Sequence, residues 1–129
     1  MAKQAKPRRL ADNEAKATLR VARTSAQKAR LPLDMIRGKG VEKALADLTF
    51  STKKASKLAK DVLLSAIANA ENNHDLNVDK LYVAKAYADR SFVMKRFRAR
   101  ARGRVGRILK PTCHMTIVVA EKQSQVKEG

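Results

Sequence analysis

Tryptophan is absent from this chain, and aromatic residues make up only 4% of its 129 residues. A platform that stacks single-stranded bases one after another needs more aromatic surface than that. Cys113 is the only cysteine, which excludes an intrachain disulfide and agrees with a reducing compartment. Acidic side chains are scarce: 12 Asp and Glu stand against 29 Lys and Arg. No paired carboxylates sit among the basic residues, no Gly-rich phosphate loop occurs, and His74 and His114 lack Cys or His partners at metal-ligand spacing. The residues for acid–base catalysis, phosphate-loop chemistry or a metal site are therefore missing, and neither enzyme, metal nor cofactor is expected. Cys113 and His114 are adjacent on a predicted strand and face opposite sides, so they do not make a thiol–imidazole pair. Met1 to Arg9 is basic but has no apolar centre, unlike a secretory signal. No apolar run is long enough to span a bilayer, and no membrane association is expected.

What the chain has is positive charge. The formal net charge is +17 and the sequence pI about 10.6, well beyond what solubility requires, which points to a polyanionic partner. A hydrophobic content of 44% rules out a wholly disordered tail and fits one modest folded domain.

The charge is concentrated. From Arg90 to Lys110 there are nine Lys or Arg (Arg90, Lys95, Arg96, Arg98, Arg100, Arg102, Arg104, Arg107 and Lys110) and no acid. Arg96, Arg98, Arg100, Arg102 and Arg104 recur at every second residue, and on a strand that spacing points all five guanidinium groups to one face. Such a row repels itself unless it meets an array of negative charge, and Arg suits bidentate phosphate contact. The bland alternative, a solvated charged strand, normally carries both signs.

The flanks read as strands: Leu81–Ala88, with Leu81, Val83 and Tyr87 as its large apolar residues, and the β-branched run Met115–Ala120. Joined through a Gly-containing middle they make a long hairpin, about a dozen residues per arm and on the order of 40 Å. Its end has little to bury, so a partner should order it. Pro111 cannot donate to a ladder and belongs at a bulge or edge where the returning arm re-enters the body.

Upstream, residues 1–12 read as a flexible basic arm. Glu14–Arg23 alternates as a strand, with Ala15, Ala17, Leu19 and Val21 inward and Lys16, Thr18 and Arg20 outward. Thr24 or Ser25 caps a helix from Ala26 to Arg37 that is either kinked by Pro32 or shortened so that Pro32 falls in its first turn. Gly38 and Gly40 stop it. Val41, Ala44, Leu45 and Leu48 give a second helix. Ser51 or Thr52 caps a third, striped with Ala55, Leu58, Ala59, Val62, Leu63, Ala66, Ile67 and Ala70 and lasting about four turns. The predicted architecture is α+β: three helices on a small three-stranded antiparallel sheet with a protruding β-hairpin at about 85–110, the whole domain covering 13–122. Residues 123–129 read as a polar tail. Arg20, Arg23, Lys28, Arg30, Arg37 and Lys39 form a second basic group, a candidate RNA surface together with the hairpin; Lys53, Lys57 and Lys60 fit an RNA contact and a solvated helix face equally well.

Several stretches together resemble one family: Thr24–Arg30, Met35–Lys39, Ser65–Asn73, Met94–Arg96, Arg100–Arg104, Arg107–Lys110 and His114–Val119. They are similar to large-subunit ribosomal protein twenty-two in its bacterial form, over roughly residues 13 to 121 and in the same order. The chain departs from the family pattern at Ala99 and Pro32. The resemblance implies a cytoplasmic, ribosome-bound protein that binds large-subunit ribosomal RNA beside neighbouring ribosomal proteins and joins early in subunit assembly. It implies a hairpin threaded between RNA segments, lining the tunnel of the nascent polypeptide, with Met94, Lys95 and Arg96 as the tunnel-proximal segment. No homo-oligomer is expected. Composition alone also permits an architectural DNA-binding protein with a β-ribbon arm.

Overall fold

A computed structural model describes residues 4–122 of the chain; the predicted tail 123–129 lies outside the described residues. The order of elements is β1 (Glu14–Ala22), α1 (Ala26–Ile36), α2 (Val41–Phe50), α3 (Lys54–His74), β2 (Leu81–Ala99) and β3 (Val105–Glu121). The strands form one antiparallel sheet in the order β1-β3-β2. The α+β architecture is the one expected.

The sheet face beneath the helices follows a size rule. Each large side chain of the central strand β3 lies between smaller or matching residues on the edges. Ile117 is flanked by Ala17 and Ala86, Met115 by Leu19 and Ala88, and Val119 by Ala15 and Val83. Small edge residues let α1 and α3 approach closely, and α3 offers small residues in return, Ala55, Ala59, Ala66 and Ala70, all buried. Interdigitation of large against small is what fills a core without voids.

Two bulges redirect the predicted alternation. The β1–β3 register shifts between Leu19 and Ala22, where Val21 has φ 58°. Ala22 therefore turns inward and Val21, expected inside, is 41% exposed. In β2 the register shifts between Val83 and Lys85, so Ala86 and Ala88 are buried while Tyr87, expected inside, is exposed. An extra residue in one strand inverts every side chain beyond it.

Ser25 caps α1, its hydroxyl accepting from the Lys28 N–H at 3.2 Å. The helix runs on past Pro32, whose ring is buried; neither the shortened helix nor a first-turn place for Pro32 is realised. Gly38, at φ 84°, ends the segment and donates its N–H to the Val83 carbonyl at 2.8 Å, while Val83 donates to the Lys39 carbonyl at 2.9 Å. The α1–α2 linker thereby covers the otherwise open edge of β2. The third helix is longer than expected, 21 residues, and its N-cap is Lys53 rather than Ser51 or Thr52. The Ser51 hydroxyl instead accepts from the buried Ser56 hydroxyl at 2.7 Å. Asp75, at φ 53°, closes α3, with the Leu76 N–H donating to the Ala70 carbonyl at 3.0 Å, a left-handed C-terminal cap.

Candidate nucleic-acid interface

β1 pairs with β3 only as far as Ala22 opposite Cys113, and Cys113 in turn faces Arg90 on β2. Beyond that rung β2 and β3 continue alone. From Arg90 to the tip at Arg102 is about a dozen residues, on the order of 40 Å at roughly 3.3 Å each. Every residue of this finger from Ser91 to Pro111 is exposed or half-buried. A bulge between Arg90 and Val93 marks its root. There the Thr112 hydroxyl donates to the Phe92 carbonyl at 2.5 Å, and Pro111 lies opposite Val93, the re-entry point expected for it.

The finger has two unlike faces. Pairing places Met94, Arg96 and Arg98 with Gly106, Ile108 and Lys110 on one face. Lys95, Phe97 and Ala99 share the other with Val105, Arg107 and Leu109. Phe97 is 76% exposed and Val105 64%, so the second face is partly apolar. The hairpin's end has little to bury, as expected, but what it has gathers on one side.

The five-arginine row is broken. Only Arg96 and Arg98 lie on the strand. Arg100 precedes a one-turn 3-10 segment, Arg102 within it has φ 63°, and Arg104 follows it. The Arg100 N–H donates to the Arg104 carbonyl at 2.7 Å and closes the tip. Tip and strand thus aim the guanidinium groups in several directions, because Gly103 (φ 70°) and Arg102 turn the chain where a continued strand was expected. A Cβ on Gly106 would come within 3.0 Å of Arg100 Nε; this glycine leaves room for the Arg100 side chain to lie back along the finger.

Among the described residues the ion pairs are Arg37–Asp34 at 2.8 Å and Lys39–Asp47 at 2.6 Å. Neither involves the finger, whose cations therefore have no acid to neutralise them. The second basic group divides. Arg37 also donates to the Ala86 carbonyl at 2.6 Å, tying the end of α1 to β2. Arg37 and Lys39 thus each have a carboxylate partner within the protein, unlike Arg20, Arg23, Lys28 and Arg30 among the described residues. Arg23 and Lys28 line a groove at the root of the finger together with Lys53, Lys54 and Lys110. Arg20 and Arg30 are exposed. Lys16 and Lys85, both opposite Val118 on the helix-free sheet face, were missed. Lys85 comes to that face through the bulge after Val83, which no residue pattern announces. In the basic arm, Arg8 donates to the Glu14 carbonyl and lies 3.3 Å from His74 Nε2.

The described residues thus form a small basic body with a cationic finger, and they hold no cluster of metal-ligating groups. Residues 17–120 match the model of the family described as ribosomal protein L22p/L17e, and the chain belongs to that family. It is similar to proteins named "Large ribosomal subunit protein uL22". That of Maricaulis maris is 60% identical over 94% of this chain and 96% of its own. That of Mesorhizobium japonicum is 59% identical over 97% of each chain, and that of Rhodospirillum rubrum 57% identical over 95% and 97%. The chain is therefore a ribosomal structural protein and not an enzyme. The family match gives no support to the architectural DNA-binding alternative.

Proposed function

We propose that this ribosomal protein serves in the large subunit, bound to the ribosome in the cytoplasm, where it holds segments of ribosomal RNA together and borders the path of the nascent polypeptide. The observation that carries the reading is the acid-free finger: Arg90, Lys95, Arg96, Arg98, Arg100, Arg102, Arg104, Arg107 and Lys110 without one internal ion pair among the described residues. Phosphates supply the missing counter-charge, mostly as positioning contacts rather than base reading. Arg20, Arg23, Lys28 and Arg30 extend the contact onto the body, beside neighbouring ribosomal proteins, with the chain acting as a single copy.

The two faces of the ribbon divide the work. Arg96 and Arg98 meet RNA, and the side carrying Lys95 and Phe97 borders the tunnel, so that within the tunnel-proximal segment Met94, Lys95 and Arg96 face alternately to wall and lumen. A competition assay tests the reading. A folded fragment of large-subunit ribosomal RNA should displace duplex DNA from the chain at equal salt. DNA displacing that RNA would contradict it.

A further inference from the structure

At the root of the finger a groove of about 640 Å³ opens between the start of α1, the start of α3 and β3. That volume falls in the range of pre-formed small-ligand sites, roughly 300–1,000 Å³. Its rim carries five cations, Arg23, Lys28, Lys53, Lys54 and Lys110, and no acid lines it. None of the five belongs to an ion pair among the described residues. The rest of the lining is mostly apolar, Leu31, Ala55, Met94, Leu109 and Pro111, with the hydroxyl residues Thr24 and Ser25 beside them. Leu31 is 54% exposed and Leu109 49%, so apolar surface lies open beneath a ring of positive charge.

A continuous RNA duplex presents phosphate and ribose and would cover only the rim. An acidic peptide would satisfy the rim and leave the aliphatic floor wet. A nucleotide extruded from its stack fits both parts: its phosphates meet the lysines and its base covers Leu31, Leu109 and Met94. We infer that this groove receives a single unpaired nucleotide of the ribosomal RNA, and so anchors the root of the finger to a bulge or loop in the RNA. The aliphatic lining carries no hydrogen-bond pattern, and only the hydroxyls of Thr24 and Ser25 are placed to meet a base edge, so the site discriminates weakly among bases. This inference rests on the RNA-binding reading above.

Full-length chain carrying photoreactive benzoylphenylalanine at Leu31, and separately at Ile108, which pairs with Arg96 on the RNA-facing side of the finger, is assembled into large subunits and irradiated. Crosslinks are mapped as reverse-transcription stops and normalised to incorporated chain. We expect the Leu31 probe to give one dominant adduct, on the base of an unpaired nucleotide. Lys28→Ala combined with Lys54→Ala should lower its yield at least tenfold while leaving the Ile108 adduct unchanged. Stops spread over paired nucleotides, an adduct to a protein, or no RNA adduct from Leu31 beside a strong one from Ile108 would overturn the inference and leave RNA binding standing. Absence of RNA adducts from both positions would remove the two together.

Discussion

The Thr112 hydroxyl donates to the Phe92 carbonyl at 2.5 Å, across the bulge where the finger leaves the body. Thr112 is only 2% exposed, so this bond helps to fix the direction of the arm where it leaves the body. Thr112→Val keeps the shape and removes the donor. It should cost about 1 kcal/mol in urea unfolding, and should speed amide exchange between residues 93 and 110 more than in β1 or α3.

Ile117 stands between Ala17 and Ala86 on the helix side of the sheet. Neither alanine can reach into the space its side chain fills. Ile117→Ala should therefore leave a residual cavity and cost about 2–5 kcal/mol, measured by denaturant midpoint with an unchanged slope.

Val21 is a β-branched residue held at φ 58°, with its N–H donating to His114 Nδ1 at 3.0 Å. β-Branched residues disfavour the left-handed region, and Asn tolerates it. Because Val21 is 41% exposed, little burial is lost on replacement. Val21→Asn should raise stability by about 1 kcal/mol and so raise the Tm. A lowered Tm would show that the bulge costs the chain nothing.

Cys113 is wholly buried in the central strand, and burial pushes its thiol pKa above the ordinary value of 9.0. The folded state keeps the thiol neutral where the unfolded chain has ionised it. This contribution is complete below the unfolded value and is lost as pH rises through and above about 9. The stability difference between the natural chain and Cys113→Ala should accordingly narrow as pH rises through that window. A constant difference would mean that the thiol does not titrate differently in the two states.

Much of this fold is legible in the residue pattern. The apolar stripe of α3, the β-branched run of β3 and the glycines after α1 identify their elements because each is local. The two bulges are not local. They arise from the pairing of β1 and β2 with β3, so Val21 and Tyr87 turn outward against their alternation. The candidate interface shows the same limit. Its acid-free composition stands in the sequence, but the break of the arginine row at Arg102 depends on a tip conformation that spacing does not specify, and the tie of Arg37 to the Ala86 carbonyl depends on a partner distant in the chain.

The finger's need for external phosphate is tested most directly by the salt dependence of ribosomal RNA binding. The natural chain is compared with one in which Arg96, Arg98, Arg100, Arg102 and Arg104 are all Ala, both verified as folded by circular dichroism. Each phosphate that an arginine no longer neutralises should flatten the slope of log affinity against log salt by about 0.7–0.9. If all five arginines touch phosphate, the two slopes should differ by roughly 3.5–4.5. Two parallel lines, with the same slope and only an offset, would contradict the account.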